Sequence, residues 1–159
     1  MNAYHLKFHL LLVAGCLAMG STQAAAAQWV IHEEEQLTLA YRDGSDEDGR
    51  DLLSIGCHAQ ESNVWVTAAP GHKAPADPVY LIYGGTKLEL KPVVCSAEEP
   101  CEDRAAGDVD GYTGETRGRE TAIAIVSAGG VSLKAPGADL NLTIDGKVAK
   151  SYLKRCPTY

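Results

Sequence analysis

Residues 51–67 alternate apolar and polar side chains with a period of two on both sides of the polar run 60–63. A period of two places alternate side chains on opposite faces of a β-strand, and a polar run between two such strands indicates a turn. The pattern therefore predicts a central β-hairpin. Its Val64 and Val66 face a core, and Trp65 lies on the opposite face.

The same criteria predict further strands before and after this hairpin. The clearest is a second hairpin, in which Gly84 and Gly85 supply the positive φ of a tight turn between two strands. Pro92 lies near the end of its second strand and indicates an edge position, because proline cannot donate to a sheet. The predicted strands cover residues 29–31, 37–42, 79–83, 86–94, 131–134 and 139–144.

Two segments near the C-terminus change to a helical period. Residues 120–128 place apolar side chains on one side and end at a Gly-Gly pair, as a helix does. Residues 147–155 predict a final helix, which Asp145 caps and which carries Cys156 towards the core. Many strands and two short helices predict an α+β fold, a mainly antiparallel sheet with one or two short helices packed on one face.

The first 27 residues have the pattern of a secretory signal peptide. An apolar run follows a short region with one lysine, and a run of small residues ends at Ala27. The apolar run is too short to span a membrane, which needs about 20 residues. A lipobox at residues 13–16 leaves open a lipid anchor on Cys16. The expected organisation is a leader, 1–27, and one domain, 28–159, in a periplasmic or secreted protein.

Four cysteines remain in the expected mature chain, and an even number in an exported protein indicates disulfides. Three pairings are possible. Cys95 and Cys101 are close in the sequence and most simply bond to each other, which leaves Cys57 with Cys156. There is no Cys-x-x-Cys motif, so a zinc site is not expected, and neither is another cofactor.

Charge and motifs narrow the classes of function. The chain carries 14 basic residues, of which Lys7 lies in the leader, and 21 acidic residues, so the expected mature charge is −8. This charge disfavours binding to nucleic acid or to anionic lipid. No Gly-x-Ser-x-Gly elbow, phosphate loop or dinucleotide motif is present. The acidic segment from Cys95 to Arg117 is interpreted as a long loop.

The candidate binding residues are aromatic and acidic. Trp65 and Tyr80 are expected on outward faces of the sheet, where an aromatic side chain is either covered or part of a binding patch. Asp108 and Asp110 resemble calcium ligands, but residue 12 of that register would be a cation, so the segment is interpreted as a turn. Tyr112 follows in the same acidic segment.

The layout resembles small exported bacterial envelope proteins of the invasion-associated locus B kind and accessory proteins of type VI secretion. The shared features are an early Trp29, a strand that ends in Cys57, and a closing segment from Ala122 to Cys156. The Cys95–Cys101 pair and the acidic segment depart from that pattern. The resemblance implies a non-catalytic envelope protein and supplies no site residues.

The sequence thus predicts a non-enzymatic exported protein that binds another protein or a component of the cell envelope. One alternative is an inhibitor or immunity protein that acts through the acidic segment from Cys95 to Arg117. Another is a small carboxylate-dependent hydrolase. A deep cleft with converging acids would favour the hydrolase, and an open sheet face or protruding loop would favour binding.

Overall fold

The computed structural model describes residues 28–33, 36–42, 44, 50–58, 61–69, 72–73, 76–102, 104–117, 119–135 and 138–156. At residues 61, 62, 115–117 and 138 it describes the backbone alone. The predicted leader, its cleavage site and the lipobox cysteine lie outside the described residues. None of the helices in the described ranges has the length and apolar character needed to cross a membrane.

Nine strands form one sheet with the order β1-β2-β3-β4-β7-β6-β5-β8-β9, and each neighbouring pair is antiparallel. The sheet curls into a half-barrel that holds two helices, which agrees with the expected α+β, mainly antiparallel class. The strands are β1 Gln28–Glu33, β2 Leu37–Arg42, β3 Leu53–Cys57, β4 Glu61–Thr67, β5 Val79–Tyr83, β6 Thr86–Val94, β7 Val109–Arg117, β8 Gly130–Ala135 and β9 Ala138–Thr143; the helices are α1 Arg119–Ser127 and α2 Gly146–Arg155.

The inward side chains of the strands and one side of each helix form a single core. Val64 and Val66 are buried in it, and α1 contributes Ile125 and Val126. Trp65 is half-buried on the outer face of β4, as the alternation predicts. Burial of this apolar surface is the main favourable term in folding, and it requires the alternation that the sequence shows.

The two ends of the half-barrel differ. The helix α1 joins the end of β7 to the start of β8, and α2 follows the end of β9, so both helices lie at one end, the helix end. We call the opposite end, where β4 finishes and β5, β7 and β9 begin, the open end. The helices pack against each other, with α1 on β3, β4, β7 and β8 and α2 on β1 and β2.

The final helix is tied to the middle of the chain by a disulfide and a buried hydrogen bond. Cys156 follows α2 and bonds to Cys57 at the end of β3, with 5.8 Å between their Cα atoms. The hydroxyl of Tyr152, which is fully buried, donates to the carbonyl of Ile55 at 2.9 Å. Asp145 caps α2 by accepting the N–H groups of its first turn. The predicted cap and the predicted pairing of these cysteines are both present.

Two predicted loops contain a strand. The predicted turn at 60–63 is wrong from Glu61 onwards, because β4 begins there. The predicted loop from Cys95 to Arg117 is wrong over its second half, because β7 begins at Val109 and pairs with both β4 and β6. This strand lacks apolar alternation because neighbouring side chains cover two of its glycines. A Cβ at Gly111 would lie 2.3 Å from the indole of Trp65, and one at Gly114 would lie 2.5 Å from a methyl group of Leu90.

The position of Pro92 also differs from the expectation for its strand. The sheet pairs β6 on both sides, so β6 is not an edge strand. However, β5 begins at Val79 opposite Leu90, and Pro92 lies beyond that point. The missing N–H of Pro92 therefore costs no hydrogen bond to β5, because proline is tolerated where a strand has no neighbour on one side.

Candidate functional site

An apolar cleft of about 430 Å³ lies at the open end of the half-barrel. Its walls come from the residue before β3, the end of β4, the segment between β4 and β5, the start of β5, the middle of β7, the end of β8 and the start of β9. The lining side chains are mostly aliphatic and include Val66, Ala68, Val79, Leu133, Ala135 and Leu140. The helices fill the half-barrel at the other end, so the cleft is the part of its interior that no described element fills.

Small side chains help to create this space. Alanines at positions 68, 69, 76 and 135 line the cleft where the core elsewhere has Leu, Ile or Val. The cleft volume falls within the range of small-ligand sites, which are concave, mostly apolar and supplied with a few polar groups. Leu140 lies at its margin and is 36% exposed.

One wall of the cleft carries a hydrogen-bonded pair. The hydroxyl of Tyr112 lies 2.9 Å from Nε2 of His72, and both residues line the cleft. Burial raises the pKa of the Tyr112 phenol, and the negative charge of Asp77 raises this pKa further. Tyr112 therefore keeps its proton at neutral pH and remains a neutral group that can donate or accept a hydrogen bond.

The charge of the cleft is low. Among its described lining residues, Asp77 is the one carboxylate, and there is no lysine or arginine. A group buried in the cleft loses contact with water, and the apolar walls offer it no hydrogen bond in return. A polar atom on that group therefore needs a polar partner inside the cleft. Tyr112, His72, Asp77 and Thr67 are the lining residues with a polar side chain that could meet such an atom. The arrangement suits a ligand with an apolar body and one polar end.

An ion pair next to the cleft positions His72. Lys73 donates to the carboxylate of Asp108 and also forms a β-bridge with it. The carbonyl of His72 accepts the N–H of Val109 at 2.8 Å. The backbone at His72 and Lys73 is therefore attached to the start of β7, the strand that carries Tyr112.

A buried arginine, Arg104, supports the wall of the cleft that follows β4. The guanidinium of Arg104 donates to the carbonyls of Ala68 and Ala69 at 2.8 and 3.1 Å, and its Nε lies 3.4 Å from a carboxylate oxygen of Asp110. Its side chain is only 6% exposed. Since Ala68 and Ala69 line the cleft, Arg104 holds one wall in place with charge-assisted hydrogen bonds.

The second disulfide lies beside this arginine. Cys95 and Cys101 are bonded as predicted, with 5.4 Å between their Cα atoms. In the part of the chain that is described, their sulfur atoms and a carboxylate oxygen of Asp110 are the one group of three that lies close enough for a shared metal ion. Both sulfurs are already in a covalent bond, so they are not available as thiolate ligands.

The Asp108 carboxylate should make stability depend on pH. Its hydrogen bond from Lys73 holds the pKa of Asp108 below its usual value, opposed by burial and assisted by the N–H of Ala105. A lowered folded-state pKa contributes stability above the unfolded pKa, about 4, that is lost as the pH falls through the folded value. We expect Asp108→Asn to unfold at lower urea than the wild type at pH 7, by a gap that narrows below about pH 4.

The matched control for this prediction is Asp139→Asn. Asp139 also pairs with a lysine, Lys134, but its side chain is 56% exposed. Exposed ion pairs contribute little to stability because water screens them. We expect this variant to follow the wild type at every pH. A gap for Asp108→Asn that stayed constant down to pH 3 would contradict the role of its charge.

The structure separates the residues that the sequence singled out. Tyr112 lines the cleft. Asp108 and Asp110 lie beside it, each paired with a cation. Trp65, on the outer face of β4, packs over Gly111 of β7. Tyr80 lies on β5, and the ammonium of Lys87 is placed over its ring. Three steps across the sheet separate β4 from β5, so these two aromatic side chains do not form one patch.

Sequence reasoning missed His72 and Asp77 as cleft residues. They come from the segment between β4 and β5, which has no apolar periodicity and reads as an exposed loop. Its one signal is the group of alanines at 68, 69, 74 and 76, which are smaller than the Leu, Ile and Val side chains that fill most of a core. Small residues beside a strand end are too common for this signal to identify a cleft without the tertiary structure.

Comparison of the chain with protein-family models, curated proteins and solved structures found no match. The resemblance to envelope proteins of the invasion-associated locus B kind and to type VI secretion accessory proteins therefore stays a prediction. The cleft and its polar wall are the features of this chain that bear on function.

Proposed function

We propose that this is a non-enzymatic exported protein whose cleft binds an apolar group of another protein or of a cell-envelope component. The observation that carries the proposal is the cleft of about 430 Å³, apolar in its lining and placed at the open end of the half-barrel. The hydrogen-bonded pair of Tyr112 and His72 supplies an orienting polar contact. Such a combination is the usual form of a small-ligand site.

Export rests on the predicted leader and on the cysteines. Two disulfides use all four cysteines of the expected mature chain. Disulfides persist in oxidising compartments and are rare in reducing ones. The periplasm or the extracellular space is therefore the proposed location.

The two alternatives gain less support. A carboxylate-dependent hydrolase needs two carboxylates about 5–10 Å apart across a cleft, whereas the described lining of this cleft has Asp77 alone. An inhibitory acidic loop needs free negative charge. In the segment from Cys95 to Arg117, the glutamates at 98, 99 and 102 are exposed and could supply it. Asp108 and Asp110, however, are paired with cations, and the second half of the segment forms a strand inside the sheet, so only its first half could act as such a loop.

The proposal is tested with N-phenyl-1-naphthylamine, a neutral apolar dye that fluoresces when it leaves water. We expect saturable one-to-one binding to the exported protein. The variant Ala135→Trp places a large side chain in the cleft and should weaken dye binding by about tenfold or more, which corresponds to about 1.4 kcal/mol.

Ala124→Trp is the matched control, because Ala124 is exposed on α1 at the helix end. It should bind the dye as the wild type does. Circular dichroism and urea unfolding establish that both variants are folded. Non-saturable dye binding, or equal binding by the wild type and Ala135→Trp, would contradict the proposal.

A further inference from the structure

The outer edge of β9 carries backbone groups that pair with none of the described strands. The strand order ends at β9, so no described strand pairs with its outer side. Ile144 lies opposite Gly129 and donates its N–H to the Gly129 carbonyl at 3.0 Å. Hydrogen-bonded and non-hydrogen-bonded positions alternate in an antiparallel pair. Asp139, Asn141 and Thr143 therefore direct their N–H and C=O groups away from β8.

A contact across the half-barrel confirms this alternation and marks where the edge becomes free. The indole of Trp29, on β1, donates to the carbonyl of Thr143 at 2.8 Å. That carbonyl can be reached from β1 only if it points away from β8. The contact joins the two sheet edges at the end of β9, and the outward backbone groups of Asp139 and Asn141 lie nearer the open end.

The direction of the strands leaves a place for one more. Eight successive antiparallel pairings lead from β1 to β9, so β1 and β9 run in the same direction. A strand antiparallel to β9 would continue the alternation of the sheet. The edge at β1 is partly occupied, because α2 packs against β1 and Arg155 pairs with Glu33.

The free part of the β9 edge is continuous with the cleft. Leu140 lies between the outward-directed residues Asp139 and Asn141, and its side chain lines the cleft. In an added strand, every second side chain would share the inner face with Leu140. Such a strand would thus satisfy the unpaired backbone groups and place apolar side chains in the cleft at the same time.

We propose that the ligand of the cleft is an extended peptide segment of a partner protein, which adds to β9 as an antiparallel strand. The segment carries apolar residues at alternate positions, and at least one of them enters the cleft. In strand addition, the main-chain hydrogen bonds provide affinity and the pockets for alternate side chains provide specificity. This inference rests on the proposed function, since it names the class of ligand for the same cleft.

The test uses a labelled peptide, acetyl-KVTLTVK-amide, in which Val and Leu alternate with Thr. Binding is followed by fluorescence anisotropy, with displacement of the naphthylamine dye as a second readout. We expect the wild type to bind the peptide with a dissociation constant below about 1 mM and to release the dye. No peptide binding at that concentration, with dye binding intact, would overturn strand addition and leave the cleft proposal standing.

Two variants of Asn141 test the contribution of its backbone N–H separately from that of its side chain. Asn141→Pro removes an outward N–H without removing a bond to β8, and proline is tolerated at such edge positions. It should weaken peptide binding by about tenfold or more and leave dye binding unchanged. Asn141→Ala keeps the N–H and loses only the side-chain bond to Ser132, so it should bind the peptide within about twofold of the wild type.

A measurement on the wild-type protein covers the case in which Asn141→Pro does not fold. Two further peptides are N-methylated at every second amide, one at the odd and the other at the even positions. In each of them the methyl groups remove the N–H donors along one edge of the extended peptide and leave the donors along the other edge. One of the two methylated peptides should lose binding, and the other should retain it. Equal binding by the two methylated peptides would overturn strand addition. If neither the dye nor the unmethylated peptide binds, the cleft proposal is overturned as well.

Discussion

Replacement of Cys57 and Cys156 by alanine is expected to lower the free energy of unfolding by about 4–5 kcal/mol. The disulfide joins residues 99 positions apart, so it restricts the unfolded chain over most of the domain. In the chain-entropy model the stabilisation grows with the logarithm of the loop length. Loss of this amount is a large part of the stability of a domain, which is about 5–15 kcal/mol.

The Cys95–Cys101 pair provides the control. Its loop spans six positions, and the same model predicts a loss of about 2 kcal/mol for the corresponding double alanine variant. Both pairs are measured by urea unfolding of non-reduced protein. Equal losses for the two variants would contradict the entropic explanation. Free thiols in the wild type at positions 57 and 156 would contradict the bond itself.

The substitution Gly111→Ala is expected to cost about 2–3 kcal/mol. A Cβ at Gly111 would lie 2.3 and 2.6 Å from two ring atoms of Trp65 and 2.7 Å from the carbonyl oxygen of Val66. The ring must move, and the carbonyl belongs to the backbone of the neighbouring strand, so the ladder between β4 and β7 must also shift. Overpacking of this kind destabilises a protein even when the added group is one methyl.

Gly146→Ala is the matched control for this prediction. Gly146 begins α2, and a Cβ there would meet no atom within 4 Å. Because alanine favours a helix more than glycine does, this variant should be as stable as the wild type or slightly more stable. Urea unfolding measures both variants. Tryptophan fluorescence, to which Trp29 and Trp65 both contribute, should change in Gly111→Ala and not in Gly146→Ala if the ring of Trp65 is displaced. A loss of unfolding free energy below about 0.5 kcal/mol for Gly111→Ala would contradict the predicted overpacking against Trp65.

The two proposals about function make separate demands on the molecule. The cleft needs only its apolar walls and the polar pair of Tyr112 and His72. Strand addition also needs the outward N–H and C=O groups of Asp139 and Asn141. The dye tests the first and the peptide tests the second, so the results rank small apolar ligands against peptide segments for the same cavity.

Much of this fold was predictable because local chemistry and tertiary packing agree. The period of two assigned the inward faces of the central hairpin, where Val64 and Val66 are buried. Gly84 and Gly85, with φ of 51° and 82°, form the predicted tight turn between β5 and β6. Asp145 caps α2, and both cysteine pairs have the predicted partners. Each of these features depends on residue types and their spacing along the chain, and both can be read directly from the sequence.

The strand β7 and the cleft were decided by tertiary structure alone. The strand reads as a loop because it lies between two others, where Gly111 and Gly114 make room for Trp65 and Leu90 from its neighbours. The cleft joins residues from seven parts of the chain, and the pair of Tyr112 and His72 spans 40 positions. Sheet order and curvature bring such residues together, and these depend on how distant strands pair rather than on any local pattern.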